Sequence, residues 1–211
     1  MGTGRGHRGS EGSGQAHPYH HGDLRNALVA AAEAELAEHG IEGFTLRGCA
    51  KRAGVSHAAP AHHFGDAAGL LTAVAAAGFE RFLAFQAQRQ EAASPAPRSQ
   101  LVAAGLGYID FATANPELFK LMFASSRADF SDPTLRTSSA AAFEHLVRGV
   151  GAVRGSDPRS NPAAMTDVLA CWSAVHGLAN LLMSHRSDTL AAMKAEERDR
   201  TMEEIIRRAV P

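Results

Sequence analysis

Thr45 to Leu71, TLRGCAKRAGVSHAAPAHHFGDAAGLL, is the stretch that decides the fold. Thr45 is placed to cap a short helix whose apolar face is Leu46, Cys49, Ala50 and Ala53. Gly54 then supplies the left-handed position at which such a helix stops. Ser56 is placed to cap a second short helix, with Val55 packing underneath. Pro60 falls in the first turn of that helix, where a missing N–H is tolerated. Gly48 inside the first helix should cost about 1 kcal/mol relative to Ala. Helix, Gly-containing turn and helix make a helix-turn-helix, whose second helix fits the DNA major groove.

Working outward, almost every segment reads as helix. Leu24, Leu28, Ala32 and Leu36 lie four apart, so residues 23–39 form an amphipathic helix closed by Gly40. Asp66 caps a long helix that turns Leu70, Leu71, Val74, Phe79 and Phe82 inward. It ends before the linker signal Ser94-Pro95-Ala96-Pro97. Leu101, Ala104, Tyr108 and Phe111 mark the next helix. Asn115-Pro116, Asp132-Pro133 and Asn161-Pro162 each read as a cap followed by Pro at the first helical position. The last helix has an apolar edge of Met202, Ile205, Ile206 and Ala209. The fold class is all-α: a three-helix DNA-binding unit followed by a helical bundle, with about nine helices in total. Residues 1–18 read as a disordered arm, 19–66 as the helix-turn-helix domain and 67–211 as the second domain.

Composition sets limits on function. A chain of 211 residues, 45% hydrophobic and 20% charged, is ordinary for a soluble globular protein. No apolar run suggests a bilayer span, and the Gly-rich start has no secretory core. Cys49 and Cys171, the two cysteines, both fall on apolar helix faces, which suits a reducing cytoplasm. The net charge of −1 supplies no global attraction to nucleic acid. Phosphates respond to local charge, however, and Arg47, Lys51 and Arg52 form a small basic patch against Asp66.

Thr45-Leu46-Arg47, Ala53-Gly54-Val55-Ser56, His62, Phe64 and Leu70-Leu71 occur at the right spacing, preceded by His20-His21-Gly22-Asp23-Leu24-Arg25. In these residues the chain resembles the N-terminal domain of the TetR family of bacterial transcription regulators. Trp172-Ser173-Ala174-Val175-His176-Gly177-Leu178 resembles the Trp-His-Gly signature of one regulatory domain of that family, and the segment Ala114 to Phe123 is similar in style. The resemblance implies a cytoplasmic homodimer that reads a palindromic operator on double-stranded DNA. It also implies a small, largely apolar effector as the second partner, with no cofactor, no membrane and no catalytic residues. Repression is the expected mode.

Carried over position by position, the resemblance places His57, Ala58 and Ala61 at base edges. Thr45, His62 and His63 face phosphates, with Arg47 nearby and Ser56 at the helix start. The family usually has an aromatic after Pro60 and a Lys early in the next helix; here these are Ala61 and Ala67. A free imidazole titrates near about pH 6.5, so His57, His62 and His63 are candidates to replace the missing cations. His63 has the competing reading of packing neutral against its own helix. Thr45 has the bland one of a cap only, and Lys51 and Arg52 that of a solvated face.

In the second domain Tyr108, Phe111, Phe119, Met122, Phe123, Phe143, Trp172 and His176 either line an apolar ligand pocket or form plain core. Trp172 and His176, four apart, are placed to meet, and His176 needs a hydrogen-bond partner. Leu178, Leu181, Leu182, Ile205 and Ile206 are the dimer contacts the resemblance implies. His17, His20 and His21 lack the companion ligands of a metal site, so no metal is expected. Cys49 lacks the fixed cation of a redox switch. Two rival readings remain: a helical ligand-binding or interaction protein with weakened DNA binding, and an all-α enzyme using His176 with an acid. No paired carboxylates, Ser-His-Asp spacing or phosphate-binding loop favour the enzyme.

Overall fold

The computed structural model of the chain describes residues 21–184 and 187–211, with side chains except at 21–23, 188 and 191. The expected arm lies outside the described residues, and so do the side chains of His17, His20 and His21. Among the described residues there are ten α-helices and one short 3-10 turn. They are α1 (His21–Gly43), α2 (Leu46–Ala53), α3 (Ala59–Phe64), α4 (Ala67–Glu91), α5 (Pro97–Ala114), α6 (Pro116–Phe123), α7 (Pro133–Arg154), α8 (Pro162–Met183), α9 (Asp188–Ala192) and α10 (Ala195–Ala209). Nine follow the sequence pattern; α9 is a single turn too short to leave a periodic signal.

Local chemistry explains the boundaries. Gly40, with φ 69°, interrupts α1 after His39, as its composition suggests. Asp66 caps α4 by accepting from Gly69 N at 2.9 Å. Asp132 caps α7 by accepting from Thr134 N and Leu135 N at 2.9 and 3.0 Å. Asn161 caps α8 by accepting from Ala163 N at 3.0 Å. Asn115 departs from this pattern. Its side-chain amide donates to the Phe111 carbonyl at 3.0 Å and so closes α5 rather than opening α6.

One continuous apolar core runs from Ala32 and Leu36 of α1, through α4, to Val175 of α8 and Ile206 of α10. Helix α4 is its axis. Its first turns carry Leu70, Leu71 and Val74 against the N-terminal helices, and its middle carries Phe79 and Phe82 against α5. By length and composition α4 is also apolar enough to cross a bilayer, which the sequence pattern did not suggest. Here it serves as a core helix with ten buried residues. Its Arg81 makes a bidentate ion pair with Glu33 of α1, tying the two helices together.

Candidate nucleic-acid interface and ligand cavity

Helix α2 begins as its sequence dictates. Thr45 Oγ1 accepts from Gly48 N at 3.0 Å. The helix ends at Gly54 (φ 67°, ψ 30°), with Val55 N donating back to the Ala50 carbonyl at 3.1 Å. Thr45 also donates to Glu35 Oε1 at 3.3 Å. Glu35, on α1, is only 5% exposed. Its other oxygen accepts from Arg52 Nε at 2.7 Å, and Glu38 takes the same guanidinium.

This carboxylate was legible only as an acidic residue on the apolar stripe of Ala32 and Leu36, and the sequence pattern did not identify it. It changes two expectations. Arg52 is tied inward, so Arg47 and Lys51 are the motif's cations without an ion-pair partner among the described residues. Gly48 leaves the space that Glu35 Oε1 occupies, and a Cβ there would force that carboxylate to shift.

The recognition helix differs in one detail. Ser56 does not cap it through its side chain. The Ser56 carbonyl accepts from Ala59 N at 3.0 Å, and His57 and Ala58 form a turn before α3 begins. Pro60, early in α3, is buried, whereas His57, Ala58, Ala61 and His62 are all exposed. Thr45 and Arg47 stand at the N-terminal end of α2. His63 is half-buried, its ring 6.3 Å from Phe64 and 5.4 Å from His62. It therefore packs partly along its own helix. Arg25 of α1 lies over the Phe64 ring at 5.0 Å.

The end of α3 is pressed onto α4. A Cβ at Gly69 would overlap the Phe64 carbonyl oxygen. The recognition helix is thus seated directly on the first turn of the core axis. Cys49 sits beneath the motif, where burial, with the charge of Glu35 added, pushes its thiol up to about 11. A thiol so placed has little thiolate at neutral pH.

A cavity of about 1040 Å³ lies among α4, α5, α6, α7, α8 and α10. Tyr108, Met122, Phe123, Phe143 and Trp172 line it, as the sequence pattern suggests. Phe111, Phe119 and His176 do not; they stand behind the wall. Phe111 is fully buried between Phe82 (5.4 Å) and Phe85 (5.6 Å). Phe119 stacks on His176 at 5.4 Å.

His176 Nδ1 and the Tyr108 hydroxyl share a hydrogen bond of 2.8 Å, so the partner His176 needs is a phenol, not a ligand or an acid. Burial holds His176 below its ordinary value and pushes Tyr108 up, which leaves both neutral near pH 7. Trp172 meets Phe143 at 6.0 Å rather than His176. The sequence pattern missed the polar part of the lining, which includes Gln86, Gln90, His145 and Arg148. Burial, and then the charge of Arg148, hold His145 below the usual imidazole range.

The five expected dimer contacts divide. Leu178 and Ile206 are buried in the chain's own core, so they are not available to a partner. Leu181 and Ile205 face outward, at 45% and 36% exposure, and Leu182 is half-buried. Helix geometry explains the division: Leu178 and Leu181 are offset by about 60° around α8 and Ile205 and Ile206 by about 100° around α10, enough to put one of each pair inside and the other outside.

The comparisons agree with both halves of this architecture. Residues 28–74, which span the helix-turn-helix and its seat on α4, match the family described as bacterial regulatory proteins, tetR family. Residues 101–209 match the tetracyclin repressor-like C-terminal domain. That description is broader than the Trp-His-Gly subtype.

The HTH-type transcriptional regulator BetI of Burkholderia mallei is 30% identical over 181 residues, covering 82% of this chain and 89% of its own. A protein of unknown function from Rhodococcus sp. RHA1 superposes with a TM-score of 0.74 at 31% identity, covering 92% of this chain and 99% of its own. The TetR family regulator PfmR from Thermus thermophilus superposes with a TM-score of 0.60 at 18% identity, covering 87% and 98%. A DNA-reading motif joined through a shared helix to a cavity-bearing bundle, matched along both halves, places the chain in the TetR family of bacterial transcription regulators.

Proposed function

We propose that the protein is a cytoplasmic, homodimeric repressor whose hold on a palindromic operator is released when a small, largely apolar effector fills the cavity. Residues 19–66 read the DNA, and residues 67–211 sense the effector and dimerise. The observation that carries this reading is that one helix serves both sites. Phe79 and Phe82 of α4 line the cavity, and Gly69 of the same helix seats the recognition helix. At 1.5 Å per residue, about 15 Å of rigid helix separates Gly69 from Phe79. A ligand that shifts α4 therefore moves α3. The loop after α6 belongs to the same linkage, because Asp129 N donates to Thr72 Oγ1 of α4 at 2.9 Å while Phe130 lines the cavity.

On the DNA, His57, Ala58 and Ala61 would face bases, while Thr45, Arg47 and His62 would face phosphates. His63 contributes less, since its ring lies partly along α3. With few free cations the imidazoles carry part of the electrostatics. Imidazole is the side chain whose charge responds most readily to pH near neutrality, and a nearby phosphate favours the charged form. Operator affinity is expected to rise from pH 8 to pH 6, with a steeper salt dependence at the lower pH.

One observation favours a second reading, a helical ligand-binding protein with weak DNA affinity. Arg52 is held by Glu35 and Glu38, and Ala61 and Ala67 stand where the family usually has an aromatic and a Lys. Selection of bound duplexes from a random pool, at two pH values and two salt concentrations, separates the two. An enriched palindrome supports the regulator, and Arg47→Gln should then lower the salt slope by about one unit per half-site. Sequence-blind binding at micromolar level or weaker supports the second reading. Transcription from a promoter carrying the selected site, measured with and without the protein, tests repression; an increase would make it an activator.

A further inference from the structure

The cavity has two chemically different ends. Along α4 its wall runs Phe79, Phe82, Gln86, Gln90, a distance of about 16 Å at 1.5 Å per residue. The first two positions are aromatic and the last two are amides. Gln90 is satisfied within the protein: its Nε2 donates to the Gln100 carbonyl at 3.3 Å, and its Oε1 accepts from His145 Nε2 at 3.1 Å. Gln86 is different. It is only 6% exposed, it lines the cavity, and its amide has no hydrogen-bond partner among the described residues. No sealed side-chain N or O atom lacks a partner among the described residues, so this amide opens onto the cavity, where a bound polar group can pair with it.

Arg148 of α7 lines the same end and forms no ion pair among the described residues. Glu144, one turn earlier, is held by Arg159. No Asp or Glu lines the cavity among the described residues. An anion at this end therefore meets a guanidinium that forms no ion pair and an amide, whereas a cation would meet like charge with no carboxylate in the lining. At the other end Phe79 and Phe82 present an aromatic wall that suits apolar surface.

We infer that the cavity takes an amphipathic monocarboxylate, its apolar body against Phe79 and Phe82 and its carboxylate beside Arg148 and the free amide of Gln86. This rests on the reading of the cavity as the effector site and adds the chemical class of the effector. The guanidinium fork matches a carboxylate in two parallel hydrogen bonds, which gives orientation as well as attraction. Arg148 is at the solvent-exposed rim, so its contribution is screened by salt.

The chain contains a single tryptophan, Trp172, and it lines the cavity, so its fluorescence reports occupancy. Decanoate, decanol and decyltrimethylammonium, each below its micelle-forming concentration, present one tail with three head charges. Decanoate should bind at least about tenfold more tightly than decanol, with the cation weakest. The margin should shrink at high salt and vanish in Arg148→Gln, whose decanol affinity shows that the cavity is still formed. Equal affinities for decanoate and decanol, or tightest binding of the cation, would overturn the carboxylate while leaving the effector cavity in place. No fluorescence change and no calorimetric heat with any of the three would overturn both.

Discussion

The carboxylate of Glu35 organises more of the DNA-reading unit than any residue of the motif itself. It receives the Thr45 hydroxyl and the Arg52 guanidinium, and it occupies the space beside Gly48. Replacing a helix-interior Gly by Ala ordinarily stabilises by about 1 kcal/mol. Here Gly48→Ala should destabilise, because its methyl would collide with Glu35 Oε1. Glu35→Ala should also destabilise, by about 1–3 kcal/mol, since a buried acceptor of charged and neutral donors is lost. Combined, the two should be less harmful than their sum, because removing the carboxylate clears the space the methyl needs. A thermal-denaturation cycle measures the coupling, and strict additivity would show that the carboxylate is not what keeps position 48 bare. His145 and His176 act at the same scale. Burial is the leading cause of lowered values in both, so the unfolded chain takes up protons first as pH falls below about 6.5. Their contribution to stability is full above that pH and declines below it. Melting temperature should fall from pH 7.5 to pH 5, and His176→Asn with His145→Gln should flatten the decline.

At the scale of elements, α4 joins reading to sensing, and the junction is the contact of Gly69 with the Phe64 carbonyl. A backbone oxygen cannot move aside as a side chain can. Gly69→Ala should therefore displace α3 and lower operator affinity at least about tenfold, while Trp172 still reports occupancy of the cavity. Unchanged affinity would mean that α3 tolerates a shift on α4 and that the junction does not transmit. The helices themselves were legible in the sequence, because a 3.6-residue period and cap-then-Pro signals are local. The motif was legible because its spacing is fixed by one short turn. Three kinds of feature were not. Asn115 had two local options, and tertiary position selected the carbonyl of Phe111 over the next helix's N–H groups. Gly48 and Gly69 looked like weak helix positions until the group across from each was known. The aromatic residues of α5 and α6 all look alike in sequence. Only the packing of α5 between α4 and α8 divides Tyr108, on the cavity, from Phe111, behind it.

Across the whole molecule, reading a palindrome takes two copies, and we propose that they meet over exposed apolar side chains of α8 and α10. Leu181 on α8 and Ile205 on α10 expose apolar side chains that the chain's own core does not use, with Leu182 beside them. Leu178 and Ile206 lie in the same helices but are sealed inside the protomer. The two pairs should behave oppositely. Leu181→Glu with Ile205→Glu places charge where a partner would cover it, yet leaves the folded monomer almost untouched; surface substitutions usually change stability by about 0.5 kcal/mol or less. Such a variant should sediment as a monomer, melt at nearly the same temperature in dilute solution and retain cavity binding. Its operator affinity should fall by about a hundredfold or more, because half the contacts and the fixed half-site spacing are lost together. Leu178→Ala and Ile206→Ala instead remove core volume, and each should cost about 2–5 kcal/mol of stability. A doubly charged variant that still sediments as a dimer would place the interface elsewhere on the bundle. Since a dimer fixes the distance between its two recognition helices, the half-site spacing of the selected operator would then identify which faces meet.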